Sequence, residues 1–359
     1  MPRIRLENLT KKYNGMAAAD DLTLTIEDGE YLCILGPTGA GKTTCMRMIC
    51  GLTEPDSGKI FYDDVDVTLK EVENRETAML SQAYSLFPQM NVRENVLFGP
   101  KIKGWPEESS KHLAKNMLRM VHLEDRADAY PNQLSGGMQQ RIALARALAS
   151  GSKVLLLDEP LRALDARLRI ELRKELRSLA KEMGLTAIHV THDQDEAMEM
   201  ADRIAILRQG RIIQIGTPRE IYEHPKTPFV ANFMGRSNMF TGTVDNGSVL
   251  LPTGVKIEAD CSEHSENDTV VVAVKVGNTK ISKTEDGYFT GTIERILYEG
   301  VSIVIDINVP EAGTIMARLP NRKYDEYAKG DVVSVTWNRS KTSVFDIPEG
   351  GLEKELRVD

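Results

Sequence analysis

Gly36-Pro37-Thr38-Gly39-Ala40-Gly41-Lys42-Thr43 follows the apolar run Tyr31-Leu32-Cys33-Ile34-Leu35 and opens a helix-forming stretch over 42–51. The eight residues fit GxxxxGK[ST], and a place between strand and helix is what that pattern requires. Glycines let the backbone wrap a phosphate with its N–H groups inward, and the positive end of the following helix favours the same anion. Lys42 would reach the β and γ phosphates, the Thr43 hydroxyl would ligand Mg²⁺, and Thr44 lies in the same helical turn. The stretch predicts a nucleotide phosphate site.

Outward from this loop, VLLLDE (154–159), TAIHVTH (186–192) and RIAILRQG (203–210) are short and nearly all apolar, which suits parallel strands buried on both faces. Residues 107–121, 135–149 and 163–183 read as helices between them. Residues 1–235 are therefore expected to form a mostly parallel α/β nucleotide-binding domain. Prolines and a glycine punctuate HPKTPFVANFMGRSNMF (224–240) as a connector. Beyond it, 241–347 holds YFTGTIERIL, VSIVIDINV and DVVSVTW separated by turn residues, which predicts a small all-β barrel or sandwich. TVVVAVKV (269–276) and DVVSVTWN (331–338) hint at an internal duplication, and the charged tail 348–359 is expected to fray.

The 359 residues suffice for two or three domains of about 150 residues each. With 53 acidic against 45 basic residues the formal charge is −8, which speaks against a general nucleic-acid binder. Cys33, Cys45, Cys50 and Cys261 show neither a CxxC spacing nor a dense framework, so reduced thiols and no zinc site are expected. The amino-terminal MPRIRLENLT lacks the apolar stretch of a signal peptide, and no run approaches the ~18 apolar residues of a membrane span. A cytoplasmic location is expected, with any membrane role exercised through a partner.

Val154-Leu-Leu-Leu-Asp158-Glu159-Pro160 ends a buried strand in two carboxylates. Asp158 would hold Mg²⁺ through its hydration shell, and Glu159 is placed to orient or deprotonate an attacking water. Paired acids at a strand end are, alone, more often a solvated turn; the phosphate loop upstream gives them this chemistry. Between the two motifs lies Leu134-Ser135-Gly136-Gly137-Met138-Gln139-Gln140-Arg141. Here the chain resembles the ATPase subunits of ATP-binding-cassette (ABC) transporters, whose signature is LSGGQ, with Met138 in place of the glutamine. The resemblance covers the whole chain. It implies that Tyr13 stacks on adenine, that Gln82 marks the Q-loop, that Asp165 in LRALDA belongs to the D-loop, and that His192 in VTHDQ senses the γ-phosphate. Glu159, His192 and Gln82 then form the catalytic set, and Thr43, Gln82 and Asp158 the metal set. Arg162 stands at a D-loop position that the family fills variously and is assigned no role.

Ser135, Gly136 and Gly137 at a helix start make a second anion site. In the family this segment closes on the γ-phosphate held by the other subunit, so the resemblance implies a head-to-tail dimer, with a second copy or a close relative, around two ATP molecules. The region after Gln82, with a helical subdomain over about 88–150, resembles the part that receives the permease's coupling helix, Phe87, Pro88 and Met90 offering an apolar surface. The C-terminal part resembles the OB-like TOBE domain of importers for sugars, polyamines, iron or oxyanions. VVVAVKVGNTKI lacks the Arg-Pro-Glu of many sugar-importer subunits, and the resemblance leans toward polyamine and iron importers.

The implied activity is ATP hydrolysis driving import. The implied partners are integral-membrane permease subunits at the inner membrane face and, through them, an external solute-binding protein; no nucleic-acid partner is expected. A soluble ABC ATPase of DNA repair or translation would show zinc cysteines, tandem cassettes or basic insertions. An export subunit would more often lack the β domain, which is itself either a regulatory site or a brace for the dimer.

Overall fold

The computed structural model describes residues 2–81, 83–310 and 312–357. The chain divides into two compact units, one ending at Arg219 and the other beginning at Glu220. The boundary expected near 235 falls inside the second unit, because the helix Pro228–Phe233 packs there: Ala231 shares a buried cluster with Val271, Ala273 and Phe345.

The first unit runs β1 (Ile4–Tyr13), β2 (Met16–Ile26), β3 (Tyr31–Leu35), α1 (Lys42–Cys50), β4 (Ser57–Tyr62), β5 (Val65–Asp66), β6 (Thr77–Leu80), α2 (Val92–Ile102), α3 (Glu107–Met120), α4 (Gly136–Ala149), β7 (Val154–Asp158), α5 (Ala166–Glu182), β8 (Thr186–Thr191), α6 (Gln194–Met200), β9 (Arg203–Arg208) and β10 (Arg211–Gly216). β3, β7 and β8 are buried along their whole length, as their unbroken apolar runs require of strands covered on both faces. They lie in a sheet of order β10-β9-β3-β8-β7-β6, parallel except for β10. An antiparallel sheet, β2-β1-β4-β5, stands beside it. α1 joins the two: Leu6 and Leu24, Met46 and Ile49, and Ile34 and Val190 belong to one buried core. Each such side chain contributes about 1.5–3 kcal/mol by leaving water.

α7 (Pro218–Glu223) spans the division. The second unit holds α8 (Pro228–Phe233), β11 (Ser237–Asp245), β12 (Ser248–Leu250), β13 (Lys256–Glu258), β14 (Thr269–Lys275), β15 (Lys280–Ser282), β16 (Phe289–Tyr298), β17 (Ser302–Val309), β18 (Gly313–Pro320), β19 (Val332–Thr336), β20 (Thr342–Asp346) and α9 (Leu352–Leu356). Two antiparallel sheets, β13-β12-β11-β14-β20 and β15-β19-β16-β17-β18, close over one core that includes Phe240, Val272, Ile305, Val335 and Trp337. This is the expected small OB-like β domain. The two similar pieces become β14 and β19, one in each sheet, and each pairs along both edges. The tail departs from expectation: Leu352 packs against the cluster of Ala231, Val271, Ala273 and Phe345, which orders α9 as a short helix. Among the described residues no helix is long and apolar enough to cross a membrane.

Candidate functional site

The sheet order β3-β8-β7 sets three strand ends side by side, at the carboxyl edge where α/β sheets bind ligands. Leu35 is in register with Thr191, and Asp158 with Val190, so loop 36–41, the turn after β8 and the acids after β7 converge. Space dictates two of the loop glycines: a Cβ on Gly36 would lie 2.1 Å from the Leu207 carbonyl oxygen, and one on Gly41 2.0 Å from that of Ala18. Gly39 is fixed by conformation instead, at φ +79°. Thr38 and Gly39 are exposed at the tip, while Pro37, Ala40 and Lys42 are buried. Lys42 Nζ donates to the carbonyl oxygens of Gly36 (2.8 Å) and Pro37 (2.7 Å). Burial pushes the Lys42 pKa down, against the pull of the Glu159 and Asp158 carboxylates.

Thr43 Oγ1 donates to the Asp158 carboxylate, 3.2 and 3.3 Å from its two oxygens. Burial raises the Asp158 pKa, and the Thr43 hydroxyl offsets this only in part. Two hard oxygen donors in contact, one a buried carboxylate, suit Mg²⁺. Glu159 comes next, in the left-handed region at φ +50°, uncommon for a residue with a side chain. Its N–H donates to the Val190 carbonyl at 2.9 Å. Its Oε1 lies 2.8 Å from His192 Nδ1, and its Oε2 accepts from Arg162 Nη1 at 2.7 Å. Burial works to raise the Glu159 pKa, but the bonds from His192 and Arg162 outweigh it and hold the carboxyl below the usual carboxylate value. A carboxylate ionised and aimed in this way can orient a water and accept its proton.

Lys42, Thr43, Asp158, Glu159 and His192 are thus brought together, while other expected residues have different local roles. Ser135 Oγ accepts from the Met138 N–H (3.4 Å) and caps α4; Asp165 Oδ1 accepts from the Leu168 N–H (3.0 Å) and caps α5. Gly136 and Gly137 form the first turn of α4, with Ser135 and Gly136 exposed. Tyr13 ends β1 with 45 % of its surface exposed. Thr44 is half-buried in α1. Phe87 and Met90 are half-buried, Phe87 with its ring centroid 4.3 Å from that of Phe98, and Pro88 is exposed. Gln82 lies outside the described residues.

Two side chains that spacing did not single out also reach the site. Arg162 holds Glu159, and its signal was a cation three residues past the acid. Gln140, 2 % exposed, reaches the backbone of the turn that follows β7.

A phosphate loop, a hydroxyl–carboxylate pair for a cation and an oriented glutamate on a parallel sheet define a P-loop ATPase, and the LSGG helix start places it in the ABC class. Residues 19–162 match the family described as ABC transporter, and residues 272–345 that described as TOBE domain. The chain is 40 % identical over 355 residues to the sulfate/thiosulfate import ATP-binding protein of Bacillus cereus, covering 96 % of this chain and 98 % of that one. It is 39 % identical over 363 residues to the putrescine transport ATP-binding protein of Escherichia coli, covering 96 % of each. The spermidine/putrescine import ATP-binding protein of Aggregatibacter actinomycetemcomitans is 51 % identical over 243 residues, 68 % of this chain and 65 % of the relative. Among solved structures, the dimeric MJ0796, a bacterial ABC transporter cassette, is 33 % identical with a TM-score of 0.56, covering 60 % of this chain and 99 % of that one. The same cassette is also known as a post-hydrolysis dimer bound to ADP and Pi. The chain belongs to the ATP-hydrolysing subunits of ABC importers that carry a TOBE domain.

Proposed function

We propose that this chain is one half of a head-to-tail ATPase dimer that powers uptake of a small charged solute through permease subunits, from the cytoplasmic face of the membrane. The observation that carries the proposal is the hold on Glu159, whose two carboxylate oxygens meet His192 at 2.8 Å and Arg162 at 2.7 Å beside the phosphate loop. Lys42 and the loop N–H groups bind the phosphates. Glu159 aligns the attacking water and takes its proton, and His192 keeps the carboxylate turned toward it. Thr43 and Asp158, with Gln82, would hold Mg²⁺, which when bound neutralises phosphate charge. Tyr13 serves the adenine.

The exposed Ser135 and Gly136 at the start of α4 fit a nucleotide held by a second copy, a reading supported by the dimeric cassette of similar fold. The exposed Pro88 and the neighbouring Phe87 and Met90 form the surface for the permease, through which an external solute-binding protein acts. Relatives matched end to end are named for an anion, sulfate/thiosulfate, in one case and a cation, putrescine, in another, which fits a solute selected outside this subunit. Replacing Glu159 with Gln tests the base role: ATP affinity is expected to stay near wild type while turnover falls by at least ~10². Turnover at the wild-type rate would remove Glu159 from that role.

A further inference from the structure

α4 begins with the exposed Ser135 and Gly136 and, one turn later, buries Gln140 to 2 % exposure. The Gln140 side chain spans the turn that follows β7. Its Nε2 donates to the Glu159 carbonyl at 3.1 Å, and its Oε1 accepts from the Ala163 N–H at 3.0 Å. A Cβ on Gly137 would lie 3.2 Å from the Ala163 carbonyl oxygen, so the helix and the turn are in contact at a second point. A carbonyl can only accept and an N–H can only donate, and the Gln140 amide carries one group of each kind, so a single side chain satisfies both ends of this turn. The residue so held is Glu159, in a left-handed conformation at φ +50° that persists only where its surroundings fix it.

We propose that Gln140 is a positioning residue: it sets the backbone of Glu159 from the signature helix, so that the helix carrying Ser135 also aims the base of its own chain. This rests on the assignment of Glu159 as the base. The link runs within one subunit, from the segment that meets the partner's nucleotide to the group that acts on its own.

The test compares ATPase rates of the full chain with Gln140→Glu, which as a carboxylate keeps the acceptor and loses the donor, and Gln140→Met, which keeps the length and loses both in every protonation state. Each is made alone and together with Glu159→Gln. Single-turnover measurement with enzyme in excess keeps low rates readable. The expected result is a kcat lowered about tenfold or more with KM for ATP changed less than about twofold, and no further loss when either substitution is added to Glu159→Gln. Should Gln140→Glu fail to fold, Gln140→Met carries the same comparison, with nucleotide affinity reporting an intact phosphate loop. Wild-type kcat in both variants, a matching rise in KM, or an equal fold-loss in the Glu159→Gln background would each overturn the proposal. Full turnover in Glu159→Gln alone would instead overturn the assignment of the base.

Discussion

Glu159 is held at every polar group it has. Its N–H goes to Val190, its carbonyl oxygen accepts from Gln140, and its carboxylate oxygens meet His192 and Arg162. These holds are unequal, since the Arg162 side chain is 60 % exposed and surface ion pairs contribute roughly 0–1 kcal/mol. Arg162→Ser is therefore expected to lower kcat only about two- to fivefold at unchanged KM, with His192 still orienting Oε1. Steady-state ATPase decides it, and a loss approaching that of Glu159→Gln would mean that Arg162 itself acts on the phosphates. The phosphate loop and the acid pair were legible in the sequence because their chemistry ties residue type to fixed spacing. Arg162 and Gln140 were not, because their roles depend on what a turn and a helix face meet in space.

Asp202, just before β9, shows how the elements beneath the site are kept in place. It accepts from the Tyr31 N–H of β3 at 2.8 Å, from Arg177 of α5 at 3.1 Å and from Lys181 of the same helix. Partial burial works to raise its pKa, but Lys181, the Tyr31 N–H and Arg177 outweigh it, so the folded value lies below the ordinary one. A depressed carboxylate stabilises the fold at pH above its unfolded value of about 4 and loses that contribution as pH falls through the folded value. Asp202→Asn should cost on the order of 1 kcal/mol at pH 7, a figure discounted for partial exposure. The gap between the two unfolding curves should narrow as pH drops from 7 toward 3; a constant gap would show that the charge is not what binds α5 to the sheet. β3, β7 and β8 were legible as elements because burial on both faces leaves unbroken apolar runs. The β2-β1-β4-β5 sheet was not, since β1 carries Lys11 and Lys12 and its pairing with β2 shifts register three times, which breaks the alternation that reveals a half-buried strand. The start of α5 was read three residues early because Asp165 caps it from outside.

At the scale of the molecule, each unit has its own core, one built around Met46, Ile34 and Val190 and the other around Val272, Ile305 and Trp337. The assigned nucleotide residues among those described, from Tyr13 to His192, belong to the first unit. That two units exist was legible from the change to short strands and turns. Their boundary was not, because α8 looks like a linker in sequence and becomes part of the second unit only by packing Ala231 under β14. Within the first unit the start of α4 and the phosphate loop are separate segments, and under the proposed function a working site takes one from each of two copies. Mixing chains that carry Lys42→Ala with chains that carry Ser135→Arg tests this directly. In a mixed head-to-tail dimer both lesions fall in one composite site and the other site is intact. With dimer formation checked by mass in solution, ATPase activity should be near zero for either chain alone and rise to a maximum near the equimolar mixture. The same residual rate at every mixing ratio would contradict the composite site.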